Sequence, residues 1–114
     1  MGKSSGGVRA LSSSKEGGVI ELNERFAIRE FSKIERGYGR SIDYSGHSTK
    51  QLERFRKIGK SYKVEEKYKA VEQYGKYASS NKEGAMSELI RAANRAAIAR
   101  DLPKIEAELR KRKK

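Results

Sequence analysis

The sequence predicts a mainly α-helical protein: a small bundle of four to five short helices, with a flexible Gly/Ser-rich N-terminal arm and a basic C-terminal tail. Three observations carry this expectation. Apolar residues recur at spacings of three and four along most of the chain. Ser and Asn residues stand in capping positions before those runs. The one proline, Pro103, falls where the first turn of a last helix is expected. The boundaries read as an arm over 1–18, one helical domain over 19–109 and a tail over 110–114.

Residues 1–18 hold five Gly and five Ser with no apolar period, the composition of a solvated linker. Val8, Ala10 and Leu11 offer at most a short docking peptide within it. Val19–Leu22 reads either as a short strand or as a lead-in. With Asn23 as N-cap, Ala27, Ile28, Phe31 and Ile34 then share one helical face, and Gly37 is expected to end that helix as a C-cap. Residues 37–47 are rich in turn formers and read as a polar loop.

Ser48-Thr49-Lys50-Gln51 has capping-box order for a new helix, whose apolar stripe is Leu52, Phe55, Ile58 and Tyr62. Gly59 suggests a break near 59–61, with Ser61 as a fresh cap. Val64, Tyr68, Val71, Gly75 and Ala78 continue the helical period, which places Tyr62 and Tyr68 in the core. Ser79-Ser80-Asn81 is a turn, with Ser80 and Glu83 forming a second capping box. Met86, Leu89, Ile90, Ala93 and Ala97 lie in one narrow arc. Small side chains there permit close packing, so 64–78 and 84–100 are expected to pair as an αα-hairpin. Asp101 sits near the cap of the last helix, which docks through Ile105 and Leu109. No internal repeat is present.

Charge is the most informative feature. Among 114 residues, 27 Lys or Arg oppose 15 Asp or Glu, for a net +12. The excess is clustered: residues 37–63 carry +5 and residues 102–114 carry +4, whereas 19–36 and 64–78 are neutral. Uniform charge would speak only for solubility; clustering speaks for a surface with an anionic partner. The first cluster is Arg40, Lys50, Arg54, Arg56, Lys57, Lys60 and Lys63. Lys50, Arg54 and Lys57 share the helix face opposite Leu52 and Phe55, while Arg56, Lys60 and Lys63 flank the apolar stripe. The second cluster is the tail Arg110, Lys111, Arg112, Lys113 and Lys114, read as frayed and able to bind phosphate without sequence preference. Arg91 and Arg95 stand beside Glu88 and are expected to form a local ion pair. Tyr38, between Gly37 and Gly39 and next to Arg40, is the candidate for base stacking.

Several chemistries fail on the residues. With no Cys and one His, thiolate metal sites and disulfides are excluded, and no metal or other cofactor is expected. His47 lies in a loop near Asp43 and Ser48, but neighbours in one loop rarely supply a catalytic triad. A metal-independent nuclease built from His47, Arg40 and Glu35 is the residual catalytic arrangement, and the expectation is no enzyme. Gly59-Lys60-Ser61 resembles the end of a phosphate-binding loop, yet Arg54 occupies the position of the required first glycine. No membrane span and no apolar leader are visible, so a cytoplasmic protein without membrane partners is expected.

The function that follows is a small basic nucleic-acid-binding protein, RNA or a ribonucleoprotein being favoured, that contacts phosphates without sequence readout. The alternative is a non-enzymatic inhibitor or accessory factor of a nucleic-acid-processing complex, such as a phage-encoded anti-CRISPR protein. A protein partner with an acidic surface would answer the same charge.

Overall fold

A computed structural model describes residues 15–113. In chain order it contains α1 (Lys15–Ser41), a 3-10 turn (Tyr44–Gly46), α2 (Thr49–Ser61), α3 (Val64–Tyr77), α4 (Lys82–Arg100) and α5 (Leu102–Arg112). No strand occurs among the described residues, so Val19–Leu22 is helical rather than extended. The expected arm lies outside the described residues over 1–14, and from Lys15 onward the chain is helix.

α4 organises the rest. Along its N-terminal part it packs with α1 and α3, and along its C-terminal part with α2 and α5. Two apolar clusters result. The larger gathers Ala27 and Phe31 from α1, Ala70, Val71 and Tyr74 from α3, and Ala85, Leu89, Ala92, Ala93 and Ala96 from α4. Alanine on α4 lets three helices approach closely, and the expected α3–α4 hairpin forms. The smaller joins Tyr44, Leu52, Ile98, Ile105 and Leu109, with Tyr38, Ile42, Phe55 and Ile58 packed around them. Full burial of Phe31, Leu52, Leu89 and Ile105 contributes about 1.5–3 kcal/mol each.

α1 does not stop at Gly37. It runs through Gly37 and Gly39 to Ser41 because its last turns carry Tyr38 and Ile42 onto the second cluster. That packing outweighs the loss of about 1 kcal/mol that each helical glycine costs. The break after α2 also falls later than its glycine suggests. Gly59 stays helical and buried because α2 crosses the α4–α5 junction there. A Cβ at this position would lie 2.8 Å from Leu102 Cγ and 3.2 Å from the Ile98 carbonyl oxygen. The chain turns instead at Tyr62 and Lys63, both extended.

Caps fix most boundaries. Ser48 Oγ accepts from the Gln51 N–H at 3.1 Å, as its sequence position predicts. At α4 the cap is Asn81 rather than Ser80, its Oδ1 accepting from the Gly84 N–H at 3.1 Å. Pro103 lies in the first turn of α5. No helix among the described residues is long and apolar enough to cross a membrane.

Candidate nucleic-acid interface

α2 and α5 run antiparallel across the second cluster. Near the C-terminus of α2, Lys60 Nζ stands 3.8 Å from Glu106 Oε2 of α5. At the opposite end, Arg112 Nη1 donates to Thr49 Oγ1 at 3.3 Å. Leu52 and Gly59 are buried between the helices, so the far side of α2 faces solvent.

That outer side carries Lys50, Arg54 and Lys57, all exposed, and together with Arg56, Lys60, Ser61 and Glu53 they line one open surface. Lys50 to Lys57 spans about 10 Å along the helix axis. Among the described residues no carboxylate lies within ion-pair distance of Lys50, Arg54 or Lys57. Glu53 is the one acid in the lining, against five cations. Arg56 is half-buried, and its helical register places it toward α5, between Thr49 and Lys60. Glu106 of α5 meets Lys60, so Arg110 and Lys113, four and seven residues further on, share its face and extend the cationic surface from α2 onto α5.

The remaining residues of the predicted site are not gathered there. Lys63 is exposed, but in the turn between α2 and α3, where its backbone N–H donates to Glu66 Oε2 at 3.2 Å. Arg40 is exposed in the last turn of α1, a helix that packs on α3 and α4. Lys111 is exposed but lies off the face that Arg110 shares with Glu106, and Lys114 lies outside the described residues. Tyr38 is not a free stacking ring: it is half-buried against the second cluster because α1 continues past its flanking glycines.

Arg112 corrects the picture of a frayed tail. Its Nε donates to Glu108 Oε2 at 3.1 Å, Nη1 to Thr49, and Nη2 to the Ser45 carbonyl at 3.0 Å. The guanidinium thus joins α5, α2 and the 3-10 turn. Arg110, Lys111 and Arg112 all lie in the last helical turn, where positive charge complements the helix dipole.

Arg95 makes a similar joint that the sequence does not reveal. Rather than pairing beside Glu88, it reaches across to α3 and holds Glu66 with Nε at 2.7 Å and Nη2 at 3.1 Å, while Nη2 also donates to Ser61 Oγ at 2.9 Å. These bonds hold the Glu66 carboxyl below its ordinary range, and the carboxylate holds Arg95 more firmly protonated. Arg100 is likewise committed, with Nη1 3.3 Å from Glu35 Oε2. The arginines bearing on the junctions are therefore occupied, whereas Lys50, Arg54 and Lys57 on the outer side of α2 are not held by carboxylates among the described residues.

Of the three groups weighed for catalysis from the sequence, Arg40 is exposed and two are in contact with other residues. Glu35 pairs with Arg100, and the His47 ring packs edge-on against Phe55 at 5.2 Å between centroids. No cluster of three or more His, Asp or Glu suited to a metal occurs among the described residues. One buried carboxylate stands out: Asp101, 4% exposed, accepts a hydrogen bond from the Tyr44 hydroxyl at 2.6 Å. Burial, reinforced by this bond, raises the Tyr44 phenol far above its usual value. The pair ties the 3-10 turn to the α4–α5 junction and faces the interior. Compared with known proteins, the chain matches no family model, no curated protein and no solved structure.

Proposed function

We propose that the protein is a small, non-enzymatic nucleic-acid-binding protein that contacts phosphates through the outer side of α2 and the adjoining face of α5. The observation that carries this reading is a contrast within one set of side chains. Arg95, Arg100 and Arg112 are held by carboxylates, whereas Lys50, Arg54 and Lys57 stand together on one exposed face without acidic partners among the described residues. Cations so arranged exchange their counterions for phosphates, and each contact adds to the salt dependence of binding. Contacts of this kind to the backbone position a nucleic acid without reading its sequence. RNA or a ribonucleoprotein is the favoured partner, because an exposed basic helix face suits recognition of backbone shape. A cytoplasmic location goes with that partner.

The test is binding of nuclease-treated protein to labelled single- and double-stranded RNA and DNA over a salt series. Binding with a steep negative slope of log K against log salt, strongest for RNA, is the expected result. Absence of binding to any free nucleic acid at low salt would overturn the reading. Binding only to an assembled ribonucleoprotein would move the protein to the class of inhibitors and accessory factors.

A further inference from the structure

The open basic surface does not stop where α2 stops. Ser61 belongs to its lining, and Ser61 Oγ accepts from Arg95 Nη2 at 2.9 Å. Arg95 in turn lines a second groove, between α3 and α4, together with Glu66, Lys69, Gln73, Glu88 and Arg91. One hydrogen bond therefore joins the two surfaces. α3 and α4 form an antiparallel hairpin and Glu66 meets Arg95. The groove consequently runs from that joint past Lys69 and Arg91 toward Gln73 and Glu88.

Charge changes along that path. At the joint, the Glu66 carboxylate is matched by Arg95. About one turn further on stand Lys69 and Arg91, both exposed. Among the described residues, no carboxylate lies within ion-pair distance of either. Glu88, three residues before Arg91, marks the far end. Arg91 also acts on the joint itself, its charge adding to that of Arg95 in holding the Glu66 carboxyl low. Arg95 has a donor to spare. Glu66 and Ser61 take Nε and Nη2, and Nη1 has no partner among the described residues.

Lengths set the size of what fits. Lys50 to Ser61 spans about 16 Å along α2, and Arg95 to Arg91 adds about 6 Å along α4. At roughly 3.4 Å per phosphate of a stacked strand, α2 alone takes about five phosphates and the joined surface about seven.

We propose that the nucleic-acid track crosses the Ser61–Arg95 joint onto the α3–α4 groove, where Lys69 and Arg91 hold the next phosphates of the same strand and Arg95 donates from Nη1 between them. This extension rests on the phosphate site on α2 and gives it a direction and a length. The partner is a strand of about seven nucleotides or more, longer than α2 alone can engage.

Oligouridylates of about five and about ten nucleotides, which form no internal pairs, separate the two surfaces. Wild type should bind the longer one with the steeper slope of log K against log salt. Lys69→Ala combined with Arg91→Ala should flatten the slope for the longer strand by about 1–2 units and leave affinity for the shorter one within about twofold. The charge-retaining pair Lys69→Arg and Arg91→Lys should bind both strands as wild type does. An unchanged slope for the longer strand in the alanine variant would overturn the extension. Equal losses on both strands, or a charge-retaining variant as weak as the alanine one, would overturn it too. Failure of the wild type to bind either strand at low salt would instead remove the phosphate site on α2, and the extension with it.

Discussion

The guanidinium of Arg95 grips both carboxylate oxygens of Glu66, 29 residues earlier in the chain, at 2.7 and 3.1 Å. The pair sits where α2 passes into α3, and the same arginine also holds Ser61. One side chain of α4 thereby ties the end of α2 to the first turn of α3, beside the C-terminal end of the basic face. Charge-assisted, two-point contacts of this kind are the stronger class of hydrogen bond, although partial exposure of both groups tempers them.

Replacing Arg95 by Ala is expected to cost about 1–2 kcal/mol. The loss should appear as a lower denaturant midpoint at unchanged slope. Hydrogen exchange should quicken most at residues 60–66, where the junction loosens, and least at the α3–α4 turn.

The same pair predicts a pH dependence. Arg95 holds the folded Glu66 carboxyl below its ordinary 4.5. Its stabilising contribution is therefore complete above 4.5 and is lost as pH falls through the lower folded value. Glu66→Gln should remove that part of the acid sensitivity. The stability gap between wild type and variant, measured by denaturant titration, should be constant near neutrality and shrink in acid. A gap that widens in acid would reverse the assigned sign.

Tyr44→Phe deletes the hydroxyl that donates to the buried Asp101 at 2.6 Å, while leaving the ring against Phe55. A buried carboxylate deprived of a donor costs about 1–3 kcal/mol. Thermal unfolding should register this loss. Near-neutral stability would show that Arg100, 3.7 Å from the other oxygen, suffices alone.

Gly59→Val places branched bulk where even a Cβ would stand 2.8 Å from Leu102. Overpacking of this order costs about 1–3 kcal/mol, and a β-branched residue recovers little of the glycine helix penalty. Reduced stability with intact helical circular dichroism is the expected outcome.

How far the sequence foretells this molecule depends on the range of the interaction. Local signals held: the Ser48 cap, the α3–α4 hairpin and Pro103 in the first turn of α5 each need only a few neighbouring residues. Gly37 failed as a stop because Tyr38 and Ile42 find burial only when the far end of the bundle is assembled. Tyr68 failed as a core residue because periodicity locates an apolar face without saying how much of it a neighbour covers. Within the candidate site, the outward trio Lys50, Arg54 and Lys57 was legible from helical spacing. The roles of Arg95 and Arg112 were not: their partners include Glu66, Ser45 and Thr49, distant in sequence, though Glu108 four residues before Arg112 gave a partial sign.

The most direct test of the central claim compares two triple variants of equal charge. One neutralises Lys50, Arg54 and Lys57 to Ala; the other neutralises Arg29, Arg36 and Lys82, which are exposed on α1 and α4. RNA affinity would be measured across a salt series for both and for the wild type. If α2 holds the phosphates, the first variant should bind weakly and its slope of log K against log salt should flatten by about 2–3 units, with the second close to wild type. Equal flattening in both variants, or an unchanged slope in the first, would contradict a phosphate site on α2.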